Sequence, residues 1–529
     1  MKRFLPIGIQ NFAQLREGGG IYVDKTAQIH QLVAGAMPGQ PFFLSRPRRF
    51  GKSLLCSTLS ALFEGRRELF GEVAGRPALA INSLDWGWEK HPVIRLDLNP
   101  GNYLGNGIPE LHVTINENLE YCARKHGVPF TGETIGDRLV RLIRALHEHC
   151  GKRVVVIIDE YDKPLTSTIV NREVHESLRN ELKSFYGVLK TSGEHLQFLF
   201  LTGVTKFSQV SVFSDLNHLN DLTFDSDYAD ICGLTQEEIE ANFEPEIAAV
   251  LKETERNRSE YMEKLRVFYN GYRFTKKDLK VYNPFGLLKH FKSRGEFQSY
   301  WYETGTPTLL VQLMTEQKIN ILDLGEMSVR HNAFHNYNAD NMEALPILYQ
   351  SGYLTISDYD EERNRFTLDY PNLEVRAAFA DTLLKQYLQV PADRSNALIC
   401  KLPDALEDGD IEGAINVLRQ FLSAIPYDII KKTENYYQTA IHLIFSMLGL
   451  SCRSEVRIAA GRIDTLVETK NFVYCFEFKL DATADEALTQ IDTKEYLLPW
   501  EGSGKKLFKA GVNISSEKRN IDDWMYVAI

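Results

Sequence analysis

Five consecutive apolar residues, Val154-Val155-Val156-Ile157-Ile158, run straight into Asp159-Glu160, and no other feature limits the fold so tightly. An unbroken β-branched run suits a strand buried on both faces, which means the interior of a parallel sheet covered by helices. The carboxyl end of such a strand is where doubly wound sheets place their ligands, so two acids there read as part of a site. Three more strands are expected at 41–45 (PFFLS), 92–98 (PVIRLDL) and 198–201 (FLFL), with helical periodicity near 109–126, 135–149 and 171–191 between them. Strands alternating with helices give a doubly wound α/β domain over 1–228.

After about 228 the pattern turns helical, opening on a capping box at Thr235 and Glu238. Residues 343–370 read as a helix and then two strands, YLTIS and RFTLDY, joined by the polar turn DYDEERN, an order that a winged helix would show. Pro391, Pro403, Gly409 and Pro426 surround short helices and mark a linker over 391–432. The rest, 433–529, reads as helix, three strands, helix and a final strand. The fold class is therefore multidomain α/β, with 229–390 as a helical and winged-helix-like middle. At 529 residues the chain also exceeds any one ordinary domain of about 150 residues.

Composition removes several classes of function. There are 60 basic against 71 acidic residues, a net charge of −11, so the chain does not coat a polyanion by bulk charge, and nucleic-acid contact must be local. Seven cysteines without a CxxC pair fit a reducing compartment. No run approaches the roughly 18 apolar residues of a membrane span, so a cytoplasmic protein without membrane contact is expected.

Between the first strand and the apolar helix that follows it stands Arg46-Pro47-Arg48-Arg49-Phe50-Gly51-Lys52-Ser53. This is the phosphate-loop pattern GxxxxGK[ST], with Arg46 in the first glycine slot. Backbone N–H groups of 46–53, Arg49 and Phe50 included, would wrap the phosphates, Lys52 would reach the outer ones, and Ser53 would hold Mg²⁺. Asp159 supplies the acid for the Mg²⁺ shell and Glu160 polarises the attacking water, which makes ATP the expected ligand. Thr202, Thr205 and Lys206 follow the fourth strand, either as a γ-phosphate sensor or as plain turn residues.

A second constellation lies in GRIDTLVETKNFVYCFEFKL (461–480). Alternation puts Glu477 and Lys479 on one strand face, and a hairpin turning at Lys470-Asn471 brings Asp464 beside them. Two carboxylates can share Mg²⁺, and the lysine can serve a metal-bound water that attacks a phosphodiester. An amphipathic helix precedes the trio (Tyr437, Ile441, Ile444, Phe445, Leu448), and a helix with Gln490 and Lys494 on one face follows. Glu434 and Glu455 are candidate extra acids.

The runs RPRRFGKSLL, IIDEYDKPL, TGVTKFS, FYNGYRF (268–274), VYNPFGLL (281–288) and YWYETGTP (300–307) together resemble the bacterial AAA-ATPase-like family, which carries a PD-(D/E)XK nuclease-superfamily domain at its C-terminus. The likeness covers almost the whole chain. It implies an AAA-like P-loop ATPase at 1–228 and a nuclease-like domain at 433–529, with ATP and Mg²⁺ as cofactors. It implies nucleic acid as partner, DNA ahead of RNA, and the ATPase part as a candidate for homo-oligomer formation. It also accounts for Arg46 in the glycine slot, and it adds Gln490 and Tyr496 to the second site. A different class stays open: an NTP-dependent sensor whose nuclease-like domain binds nucleic acid without cutting it. So does an active C-terminal domain beside a merely structural loop.

Other signals carry less. His147-Glu148-His149-Cys150 looks like a metal cluster, but residues two apart on a helix face different ways. His331 and His335 fall in an asparagine-rich loop. Lys505, Lys506, Lys509, Lys518 and Arg519 read as a solvated face or as phosphate contacts beside the second site.

Overall fold

The computed structural model describes residues 4–206, 219–302, 308–317, 319–325, 327–334, 343–387, 389, 392–425, 433–447, 451–458 and 461–529. Their contacts divide the chain into two compact units. One comprises 1–304 and 326–372, and the other 305–325 and 373–529.

The first unit is built on a parallel sheet of β1 (Pro41–Ser45), β2 (Val93–Asp97), β3 (Val154–Asp159), β4 (Leu196–Gly203) and β5 (Asn220–Asp221), in the order β2-β3-β4-β1-β5. All six residues of β3, the five apolar ones and Asp159 at its end, are buried, as a strand covered on both faces requires. Both β1 and β3 pair with β4, in registers that include Leu44↔Thr202 and Ile158↔Leu201. The loop after β1 and the acids after β3 therefore leave the same edge of the sheet on either side of β4. Helices Tyr103–His126, Ile135–Cys150 and Arg172–Thr191 follow the expected periodicity. The two-residue β5 had no sequence signal, being too short for any pattern.

The Thr235–Glu238 capping box is present and opens the helix Gln236–Thr254. That helix, Arg258–Tyr269 and Pro284–Lys292 share an apolar core that includes Ile239, Phe243, Tyr261, Leu265, Leu287 and Phe291. Helix Ala344–Gln350 is followed by the hairpin of β7 (Thr355–Asp360) and β8 (Arg365–Asp369). A third strand, β6 (Met327–Arg330), joins them in an antiparallel sheet ordered β6-β8-β7. Its alternating exposure, on four residues only, explains why the sequence does not announce it.

The second unit holds β9 (Ser451–Ile458), β10 (Gly461–Glu468), β11 (Phe472–Leu480), β12 (Lys506–Ser515) and β13 (Asn520–Ala528), in the order β13-β12-β11-β10-β9. The first three form a meander, and helix Ala484–Thr493 carries the chain over to β12, parallel to β11. Two strands end the chain where the sequence reading has one, because the turn at 516–519 is short and polar and the apolar pattern runs on past it. Helices Ala392–Asp408 and Ile411–Ala424 also belong to this unit, while Pro391, Pro426 and Leu448 lie outside the described residues.

The crossover helix lies close on β12 because Gly511 has no side chain: a Cβ there would sit 2.2 Å from the carbonyl oxygen of Ala484 and 2.8 Å from the amide of Leu488. Gly511→Ala should therefore push the helix outward and cost roughly 1–3 kcal/mol by overpacking, read as a lowered unfolding midpoint. Unchanged stability would show that the helix is not seated on the glycine.

Candidate functional site

The loop leaves β1 at Ser45 and enters the helix Lys52–Phe63 through Gly51, whose φ of +99° only glycine takes without strain. No side chain caps this helix, so its first N–H groups are left for a ligand. They border a cavity of about 350 Å³ whose polar end is lined by Arg48, Arg49, Gly51, Lys52, Ser53 and Glu160. Phe50 lines it too, and Ile9, Ile21, Leu234 and Phe285 give it an apolar wall. Lys52 curls over the loop, its Nζ donating to the carbonyls of Arg46 (3.0 Å) and Pro47 (3.1 Å).

Arg46 takes part differently from the other loop residues. Its guanidinium is turned into the protein, 1% exposed, and donates to the carbonyls of Ser45 (2.8 Å), Thr223 (3.1 Å) and Tyr228 (3.0 Å). It also lies 4.3 Å from the Phe274 ring centroid. Desolvation lowers its pKa from the usual arginine value. The side chain does not line the cavity, and Arg46 meets the loop lysine only through its own carbonyl. Thr202, inside the end of β4 rather than after it, and Thr205 and Lys206 beyond it are likewise spent internally. Thr202 donates to Leu44, Thr205 donates to Asp162, and Lys206 pairs with Asp221 at 2.5 Å.

Asp159 ends β3 at 1% exposure. Burial raises its pKa to about 6, against the pull of a Ser53 hydrogen bond and of Arg95, whose Nη2 is 3.7 Å from Oδ2. Its Oδ1 is buried with no hydrogen-bond partner among the described residues. Glu160 follows in a left-handed conformation, φ +50°, which swings its carboxylate to the cavity while Asp159 stays inside.

In the second unit the hairpin of β10 and β11 brings Asp464 next to the Glu477–Lys479 face, with Asp464 Oδ2 accepting the Phe478 N–H at 2.9 Å. Glu477 is 2% exposed, and its Oε1 accepts from Lys479 Nζ (3.3 Å) and from the Gln490 amide. Lys479 also donates to Gln490 Oε1 at 2.6 Å, and Tyr496 lies 3.3 Å from the same amide. Burial first, and the Asp464 charge second, raise the Glu477 pKa against the opposing effect of Lys479. Glu477 Oε2 is buried without a hydrogen-bond partner among the described residues. One clasp thus joins Glu477, Lys479, Gln490 and Tyr496, with Asp464 alongside.

Gln438 and His442 were missed by the sequence reading. One turn apart on the helix Glu434–Ser446, they line a small hollow with Asp464 and Phe478. The available signal was two polar residues four apart on an otherwise apolar helix face. Glu434, singled out instead, is exposed and accepts from Gln438 at 3.3 Å. Glu455 is in β9, and its side chain is outside the described residues. Around the site, Lys505 pairs with Glu468, Lys509 with Asp492 and Lys518 with Asp522, while Lys506 lies over Phe508. His147 meets His195 at 2.8 Å, and His331 packs on Phe224 and Phe334, while His335 lies outside the described residues. Among the described residues, no three or more His, Cys, Asp and Glu side chains are grouped around a metal position.

Residues 6–213 match a family model described as a predicted AAA-ATPase, and residues 432–524 match the PD-(D/E)XK nuclease superfamily. An uncharacterized protein in the vnfD 5' region of Azotobacter chroococcum mcd 1 is 37% identical over 530 residues, covering 98% of both chains. The chain belongs to the AAA-ATPase-like family with a C-terminal PD-(D/E)XK nuclease-superfamily domain.

In this AAA-ATPase-like protein, Arg46 fills the glycine slot because its guanidinium, and not a bare backbone, ties the loop to the residues after β5. Arg46→Gly restores the general phosphate-loop pattern, yet it should cost roughly 2–4 kcal/mol by stranding three buried carbonyls, and should not tighten nucleotide binding. Thermal unfolding and nucleotide titration of the variant check both points.

Proposed function

We propose that the chain binds and hydrolyses ATP with Mg²⁺ at the loop, and that its nuclease-superfamily domain cleaves nucleic acid, DNA in particular, in a Mg²⁺-dependent reaction. ATP acts as switch or motor for the cleavage. The observation that carries this reading is the same at both sites: Asp159 Oδ1 and Glu477 Oε2 are buried carboxylate oxygens with no hydrogen-bond partner among the described residues. Such an atom costs about 1–3 kcal/mol, and a divalent cation is the partner that a carboxylate in this setting fits. Mg²⁺ bound at each would offset phosphate charge and acidify water.

At the first site Lys52 supplies charge to the outer phosphates, Ser53 and Asp159 hold the metal, Glu160 takes the proton of the attacking water, and the apolar wall of Ile21, Leu234 and Phe285 receives the base. At the second, Asp464 and Glu477 hold the metal, and Lys479, kept in place by Gln490, orients the water. We assign these activities to 1–228 and 433–529, with 229–390 and 391–432 as the middle and linker. A cytoplasmic location is supported by six free cysteines among the described residues; no described helix is long and apolar enough to cross a membrane.

Incubating the protein with labelled DNA and RNA, with and without ATP and Mg²⁺, tests both halves together. Lys52→Ala should abolish nucleotide binding, whereas Glu160→Gln should keep binding and stop hydrolysis. Equal nucleotide affinity in wild type and Lys52→Ala would overturn the first half. Asp464→Ala should remove metal binding, while Lys479→Ala should keep it and lower cleavage at least about 10²-fold. Ca²⁺ should support binding without turnover, because its looser coordination suits occupancy more than water activation. Metal binding with no cleavage of any DNA or RNA would favour the binding-only alternative.

A further inference from the structure

The loop RPRRFGKS contains three arginines and buries only one. Arg46 is consumed by backbone carbonyls, but Arg48 and Arg49 line the cavity together with Lys52 and Lys163. Among the described residues Lys25 of the same lining is paired with Asp230 and Glu238, whereas no ion pair is found for Arg48, Arg49 or Lys163. With Glu160 as the acid beside Arg48, Arg49, Lys52 and Lys163, the cavity wall carries an excess of positive charge that favours an anion of several charges.

Of the two cavity arginines, Arg49 is the more exposed. Arg48 is half-buried, and its carbonyl accepts from Trp301 Nε1 (2.9 Å) and Asn283 Nδ2 (3.3 Å). Arg49 is exposed, and its guanidinium rests 5.0 Å from the centroid of Phe285, itself part of the cavity wall. Its backbone is left-handed, φ +66°, which costs a non-glycine residue roughly 1–2 kcal/mol. The neighbouring carbonyls hold that conformation in place, Arg48 through Trp301 and Asn283, and Phe50 through the Gly233 N–H at 3.2 Å. A strained residue that the surroundings over-determine points to a function for the side chain it aims.

We propose that Arg49 is a catalytic cation for the terminal phosphate, supplied in cis by the loop itself, so that the ATP site is complete in one chain and needs no arginine from a neighbouring copy. The inference rests on the ATP reading above. In the hydrolysis a water oxygen bonds to the terminal phosphorus as the bond to the bridging oxygen breaks. That oxygen leaves on ADP with the electron pair. One water proton passes to Glu160 and then to solvent, and the other stays on the inorganic phosphate. Arg49 neutralises the charge that grows on the bridging and terminal oxygens, the task an arginine finger performs. Self-association through the ATPase part is then not required for turnover.

The informative variant is Arg49→Gly, because glycine takes φ +66° without strain and the backbone keeps its shape. Its unfolding midpoint should match or exceed that of wild type, and its affinity for a fluorescent ATP analogue should stay within about threefold, while kcat falls at least about 10²-fold. Arg49→Lys should recover little, since a point charge does not replace a planar fork. Wild-type activity per chain should be constant on dilution, and mixing Arg49→Gly with Lys52→Ala should restore nothing. Near-normal kcat in Arg49→Gly, activity per chain that falls on dilution, or recovery on mixing would each overturn the proposal. So would a wild-type protein that binds ATP through Lys52 but never hydrolyses it, a result that leaves the binding reading standing. Loss of Lys52-dependent binding would instead sink the ATP reading itself, and this inference with it.

Discussion

A guanidinium buried to 1% exposure ties the loop after β1 to the residues that follow β5. Arg46 gathers carbonyls from β1 and from the stretch after β5 onto one side chain, and its own carbonyl receives Lys52. Burying such a cation is expensive, and three carbonyls that accept from its two terminal nitrogens, with the face of Phe274, offset part of that cost, while Nε has no hydrogen-bond partner among the described residues. The arrangement replaces a flexible glycine with a fixed strut. The loop that results is stiff enough to keep Arg49 left-handed and to leave the helix N-terminus uncapped.

The nuclease-superfamily domain solves a related problem with strand geometry. A hairpin and a crossover helix converge on Glu477, whose first oxygen is claimed by Lys479 and Gln490 while its second is left without a partner among the described residues. Close seating of the helix over Gly511 keeps Gln490 within reach of Lys479. Both units therefore invest in a buried carboxylate and withhold one of its oxygens from the protein. The proposed metal sites rest on that shared feature together with the acids and basic residues beside it.

Much of this was legible in the residues. The unbroken apolar run of β3 defined a parallel sheet, the Gly51-Lys52-Ser53 turn marked the loop that borders the cavity, and the Asp464, Glu477 and Lys479 spacing marked residues that the hairpin brings together, because period and turn residues are local properties. The direction of the Arg46 side chain was not legible, since its partners Thr223 and Tyr228 lie about 180 residues away. Nor were Gln438 and His442, which acquire meaning only when their helix is laid against Asp464. Short strands such as β5 and β6 exist through pairing alone. The division into units follows contacts that take 305–325 out of the middle of the sequence, which no composition shift marks.

The most direct test of the two proposed metal sites is to count bound Mn²⁺ per chain by electron paramagnetic resonance, with and without a non-hydrolysable ATP analogue. One class of ion should appear only with nucleotide and vanish in Asp159→Asn. A second should be present without nucleotide and vanish in Asp464→Asn, each variant leaving the other class intact. Mn²⁺ binding that ignores nucleotide, or that survives both substitutions together, would contradict the account.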